Sequence, residues 1–211
     1  MLFTKLGHAC ARFEKDGQVL VVDPGSFTEP VAYDGADAIL ITHVHADHFD
    51  QAALRAAADA SPALQIWTNG DVADALSDLG ARVHRVGHGD TFTAAGFDIE
   101  AHGEWHAVIH PDIPRVGNVG FLVDGAVFHP GDALTVPDRP VGTLLLPVHA
   151  PWSKVGELID YIRAVGAERA YAVHDAMLSP IGLTVVKSVL DRTVPDAAYQ
   201  RLEPGTSFDL A

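Results

Sequence analysis

Residues 38–48 read AILITHVHADH. Ala38–Thr42 is an unbroken apolar run, as in strands covered on both faces. It passes directly into His43-Val44-His45-Ala46-Asp47-His48, four ligand-type or acid–base side chains within six positions. Gln51–Ala58 follows, alanine-rich and helical in propensity. The polar segment therefore sits at the carboxyl end of a strand and before a helix, where α/β sheets place their sites. In a loop of this kind His43 and His45 can point the same way and converge on one ion. Asp47 and His48, near the helix start, are placed for a second ion a few Å away. The competing reading, a solvated loop with histidines gathered by accident, fits poorly with four such residues directly behind a buried-type strand.

Working outward, Leu2–Leu6 and Ala9–Glu14 read as short strands, and Asp16-Gly17 is a hairpin signal. Gln18–Val22 is a further apolar strand, closed by Asp23-Pro24-Gly25. On the other side, a strand is expected over Gln65–Thr68. Helical spacing of Val72, Ala73, Leu76 and Leu79 follows, with Gly80 as the stop, and then a strand over Arg82–Val86. The middle is mostly β: Thr91–Thr93, Phe97–Ala101, Val119–Val123 and Ala126–Phe128. Between them His102–Asn118, with three histidines and two prolines, reads as a long functional loop. The last third alternates strand and helix: Thr143–Val148, Val155–Val165 before Gly166, Arg169–Val173, and Ile181–Leu190. Both halves run from hairpins to βα units, so the expected architecture is α/β, a four-layer αββα sandwich of two mixed sheets with helices outside. A single domain over residues 1–211 is expected.

The composition narrows the function. With 48% hydrophobic residues the 211-residue chain can build a sizeable core. Lys and Arg number 14 against 28 Asp and Glu, a formal charge of -14, which repels phosphate backbones and anionic lipids and disfavours nucleic-acid and membrane partners. A local basic pocket for a small anion remains compatible with that charge. The single cysteine, Cys10, excludes an internal disulfide and a four-cysteine metal site. MLFTKLGH has no secretory pattern and no apolar run approaches the ~20 residues of a membrane span, so a cytoplasmic location is expected. Twelve histidines stand out.

His43, His45, Asp47 and His48 match the HxHxDH signature, and the chain resembles the metallo-β-lactamase superfamily of metal-dependent hydrolases. Other motifs appear in the family's order: Asp23 in VVDPG, the HGEWHAVIH stretch, Asp132 in HPGD and His174 in YAVHD. The resemblance spans essentially the whole chain, and LGHA with the compact size looks most like the ascorbate-6-phosphate-lactonase-like branch. It implies one metal on His43, His45 and a mid-chain His, a second on Asp47, His48 and His174, and Asp132 between them. It also implies that Asp23 supports the metal loop. All-nitrogen-and-oxygen ligation suits two divalent ions, zinc first, with manganese or iron as substitutes. His102, His106 and His110 all compete for the mid-chain position; His106 is preferred, because Gly103 and a chain reversal allow inward approach.

The implied activity is hydrolysis of a small, anionic ester, lactone or phosphodiester by a hydroxide shared between two ions. Asp47 would orient that hydroxide, and His149 or His8 would protonate the leaving group. His102, His110 and His129 are expected to line or support the site. Arg115 and Lys154 are candidate anion contacts, each weighed against an ordinary surface role. Trp105 and Trp152 either wall the pocket or simply pack. His84 and His88 read as structural. Departures from relatives point the same way: His45 replaces the Glu of oxygen-reducing relatives, Asp132 stands where many β-lactamases have Cys, and there is no room for an RNA-processing insert. The alternative function is a metal-binding sensor or scaffold with little turnover. A homo-oligomer and the substrate's identity are left open by the sequence.

Overall fold

The computed structural model describes residues 1–210. The first half contains β1 (Leu2–Lys5), β2 (Ala11–Lys15), β3 (Gln18–Val22), β4 (Ala38–Ile41), α1 (Gln51–Ala60), β5 (Gln65–Thr68), α2 (Gly70–Ala75) and β6 (Val83–Arg85). The second contains β7 (Thr91–Ala94), β8 (Phe97–His102), β9 (Gly120–Val123), β10 (Val127–His129), β11 (Thr143–Pro147), α3 (Val155–Val165), β12 (Arg169–Val173), α4 (Pro180–Thr193), β13 (Tyr199–Gln200) and β14 (Ser207–Asp209). They form two seven-stranded mixed sheets, ordered β14-β1-β2-β3-β4-β5-β6 and β13-β12-β11-β10-β9-β8-β7. Each sheet mixes antiparallel pairs, such as β1–β2, β2–β3 and β7–β8, with parallel pairs, such as β3–β4, β4–β5 and β11–β12.

Strand periodicity explains the layers. In β4, Ala38 and Leu40 face the other sheet, whereas Ile39 and Ile41 join the apolar layer that also holds Leu54 of α1 and Val72 of α2. In β11, Leu145 faces the inter-sheet core, whereas Leu144 and Leu146 share a layer with Leu158 and Ile162 of α3. Both strands are covered on both faces, so both are apolar throughout. Phe3, Phe13 and Leu20 of one sheet meet Phe97, Phe121 and Val123 of the other. The outcome is the expected αββα sandwich.

Several boundaries differ from expectation. Leu79 belongs to no continuous helix: α2 ends at Ala75, and a 3-10 segment Ser77–Arg82 follows, with Gly80 inside it at φ 61°. Gly80 therefore allows a kink within that segment. β13 and β14 were not foreseen; β14 crosses from the second half to pair antiparallel with β1. A three-residue strand carries too little periodicity to be read locally, and its register comes from the partner strand.

Candidate metal centre

Three close approaches build the site at the carboxyl ends of β3, β4 and β12. First, β4 ends at Thr42-His43, and the loop beyond it turns back on itself, with the N–H groups of His48 and Phe49 both donating to His45 O. Asp50 then caps α1, accepting from Ala52 and Ala53, while Phe49 is buried beneath. Second, the turn after β3 lies against this loop so closely that a Cβ on Gly25 would fall 2.0 Å from the Asp47 carbonyl. Third, the His174 N–H donates to His8 O (2.8 Å), joining the end of β12 to the Gly7-His8 turn. Asp23 and His174 hold positive φ, 51° and 58°. For His174 this is an uncommon conformation, of the kind that gathers at functional sites.

The tautomers follow from the outer hydrogen bonds. Asp23 Oδ2 accepts from His48 Nδ1 and from the Thr42 hydroxyl, both at 2.7 Å, and Oδ1 accepts from Thr42 N–H. Having donated its only proton to Asp23, Thr42 Oγ1 accepts from His43 Nδ1 at 3.0 Å. His106 Nδ1 donates to Ala107 O, and His174 Nδ1 donates to His149 O. As neutral rings, all four therefore carry hydrogen on Nδ1 and turn Nε2 lone pairs inward; those Nε2 atoms are buried and make no hydrogen bond. His8 is reversed: its Nδ1 accepts from Ala176 N–H at 3.2 Å, so the neutral ring carries its proton on Nε2, 3.4 Å from Asp47 Oδ2.

Asp132 stands at the centre. Its Oδ1 lies 3.1 Å from His48 Nε2, and its Oδ2 lies 3.1 Å from His174 Nε2 and 3.4 Å from His106 Nε2. Asp47 Oδ2 lies 3.3 Å from His174 Nε2. Lone pairs facing carboxylate oxygens repel unless a cation lies between them. The donor set thus fits divalent metal ions: His43, His45 and His106 converge as one group, Asp47 and His174 meet beside His8, and His43, His48 and Asp132 form a third overlapping group. Burial pushes the His43 imidazole well below its usual range. Burial also opposes charge on His48 and His174, but Asp132 with Asp23 raises His48, and Asp132 with Asp47 raises His174 to about 9. Burial works against Asp132 and Asp47 as anions too; the facing histidines nevertheless hold both well below the usual carboxylate range. His45 and Asp47 are only half-buried and mark the open side.

Of the mid-chain histidines, His106 joins His43 and His45. His102 is buried beside Glu100 (3.8 Å) with its ring edge-on to Phe128, and His110 is exposed beside Asp112 (3.5 Å); neither belongs to the converging groups. His129 donates to Ala9 O and accepts from Gly131 N–H, a tie beneath the centre 3.9 Å from Asp23. The ring of His149 hydrogen-bonds to nothing among the described residues. Arg115 lies beside the centre and donates to His106 O, whereas Lys154 is exposed and pairs with Glu157. His84 bonds to Gln65, and His88 accepts from Gly103 N–H.

Two supports escaped the sequence reading. Trp152 Nε1 donates to Asp132 Oδ2 at 2.9 Å, and Asn118 accepts from Asp132 N–H while donating to Pro130 O. Trp152 sits in the PVHAPW stretch next to a strand end, a signal that marks the neighbourhood but not the contact. Asn118 carried no signal.

A family model described as beta-lactamase superfamily domain matches residues 2–174. The chain belongs to the β-lactamase superfamily. It is 38% identical over 186 residues to Protein Rv0786c of Mycobacterium tuberculosis, covering 85% of this chain and 86% of that one. It is 26% identical to the UPF0173 metal-dependent hydrolase MK1542 of Methanopyrus kandleri, covering 99% of this chain and all (100%) of that one. The metallo-beta-lactamase fold protein YhfI of Bacillus subtilis superposes with a TM-score of 0.77 at 15% identity, with 98% of each chain covered. That last likeness concerns the fold. Among the described residues no helix is long and apolar enough to cross a membrane.

Proposed function

We propose that this superfamily member is a metal-dependent hydrolase that cleaves a small, anionic ester, lactone or phosphodiester at a two-ion centre. The observation that carries the reading is the set of buried, inward-facing Nε2 atoms of His43, His48, His106 and His174 around the Asp132 carboxylate. His43, His45 and His106 would hold one ion, and Asp47, His48 and His174 the other, with Asp132 between. Two such ions, zinc in the first instance, supply Lewis acidity and lower the pKa of a coordinated water towards neutrality. The naming of a relative as a metal-dependent hydrolase supports the same reading.

The protein's own groups have distinct tasks. Asp23 and the carbonyls of Ala107 and His149 orient the ligand imidazoles, and Trp152 and Asn118 orient Asp132. Asp47, on the open side, would position the attacking water. His8 would hold Asp47 through its Nε2–H, 3.4 Å from Asp47 Oδ2, and would protonate the leaving group only as the imidazolium, whereas His149 engages the centre through its carbonyl. The test is metal analysis of the purified protein together with turnover on generic phosphodiester, lactone and ester substrates. Two ions per chain with hydrolysis of one class is expected. Tight metal with no turnover on any class would favour a sensor or scaffold instead.

A further inference from the structure

A cavity of about 720 Å³ lies between α1 and residues 25–36 and is lined by none of the converging side chains. A second cleft, about 410 Å³ and of the size that takes a small organic ligand, opens beside the centre between Trp105, Val108, Leu134, Trp152 and Arg115. Its link to the chemistry is direct. Trp152 donates to Asp132, and Ala107 N–H donates to Asp132 O. Ala107, Val108 and Arg115 also line a smaller recess that reaches His45 and His106.

Aromatic and aliphatic side chains form part of the wall, beside polar atoms of Arg115, Thr135 and Glu157. Trp105 and Val108 expose 51% and 57% of their surface beside the centre, more than isolated surface hydrophobes need explain when they share a cleft. Against these walls stands one oriented cation. Arg115 Nε is tied to His106 O, and its guanidinium carbon lies 5.8 Å from the Trp105 ring centroid, within cation–π range. The anchored fork leaves its terminal nitrogens available, and it pairs with no carboxylate among the described residues, although acids outnumber bases 28 to 14. Glu157, also on the wall, is occupied by the Lys154 N–H and ammonium. Thr135 is the remaining polar side chain there.

We infer that the substrate is an amphiphilic anion, with an aromatic or aliphatic body seated between Trp105 and Trp152 and an acidic group on Arg115. This deepens the hydrolase reading and rests on it for the bond cleaved, but binding is measured without turnover. The probes are 4-phenylbutyrate, its neutral amide, butyrate and glucose 6-phosphate, titrated calorimetrically into the metal-loaded protein, Arg115→Met, Arg115→Lys and Trp105→Ala, each with its metal content measured. Phenylbutyrate should bind tightest. Arg115→Met should weaken it roughly tenfold or more, towards the amide, as expected for a charge-assisted contact, with partial recovery in Arg115→Lys. Trp105→Ala should weaken phenylbutyrate while leaving butyrate unchanged. Phenylbutyrate affinity unchanged in Arg115→Met would put the anion on the metal ions and overturn the inference. So would tighter binding of glucose 6-phosphate, or indifference to Trp105→Ala. Trp105 precedes His106 in the chain and packs on Arg115, so Trp105→Ala decides the apolar half when its metal content equals that of the unaltered protein and butyrate still binds as before. A protein that binds in the expected pattern yet hydrolyses nothing keeps this subsite and loses the hydrolase reading.

Discussion

At the level of single side chains, Asp132 and the three mid-chain histidines separate ligands from bystanders. Asp132 faces His48 with Oδ1 and both His106 and His174 with Oδ2, so Asp132→Ala should lower the content of both ions together and abolish hydrolysis. Retention of both ions by elemental analysis would remove it from the centre. Loss of a direct imidazole should exceed the roughly 10–100-fold typical of supporting groups. His106→Ala should therefore weaken zinc by more than about 100-fold. His102→Ala and His110→Ala should leave zinc affinity close to that of the unaltered chain, since these rings sit with Glu100 and Asp112. Competition with a chromogenic chelator measures all three. Trp152→Phe keeps an aromatic wall but deletes the Nε1–H on Asp132, and the same assay should place it inside the 10–100-fold range.

At the level of elements, the centre depends on one turn lying against another. The β3–Asp23-Pro24-Gly25 turn and the His43–His48 loop approach so closely that Gly25→Ala would put a Cβ 2.0 Å from backbone atoms that cannot swing aside. One of the two segments must move, carrying Asp23 away from His48 or Asp47 out of line. We expect Gly25→Ala to lose several kcal/mol, in the range of about 3–5 typical of forced backbone strain and broken buried networks, and to lose metal with it. Gly87→Ala is the control for glycine loss without crowding, since nothing lies within 4 Å of its Cβ and, like Gly25, it lacks positive φ. Chemical denaturation of the two variants side by side separates crowding from general glycine loss.

At the level of the whole molecule, the site is a charge cluster between two sheets, and its protons answer to pH. In the metal-free protein His174 is raised from 6.5 to about 9 by Asp132 and Asp47 against the cost of burial. The folded chain therefore holds a proton that the unfolded chain releases above 6.5. That contribution is complete below 6.5 and disappears as pH climbs through about 9. Metal ions take the proton's place, so metal uptake should release protons in this window. The denaturation midpoint of the metal-free protein should fall between pH 6.5 and 9 while that of the metal-loaded protein holds. Parallel profiles for the two forms would contradict a proton–metal exchange at this ring.

What could be read without a structure was whatever is encoded by neighbours in the chain. The continuous runs of β3, β4 and β11 announce strands covered on both faces, because side-chain direction alternates every residue. HVHADH, HPGD and YAVHD announce candidate ligands, because each sits where a strand stops and its last side chains leave the sheet. The order of hairpins and βα units then yields the αββα layers. Packing alone decided the rest. Whether His102 or His106 turns inward depends on the Val116 and Asp132 carbonyls that hold residues 106 and 107. The orientation of His8 depends on an N–H donated from Ala176, 168 positions away. Trp152 and Asn118 become supports of Asp132 only once α3's leading loop and β9 are packed against the HPGD turn. Hydrogen-bond geometry over a few ångströms makes these assignments, and residues so far apart in sequence acquire that geometry only when both sheets have closed on the core between them.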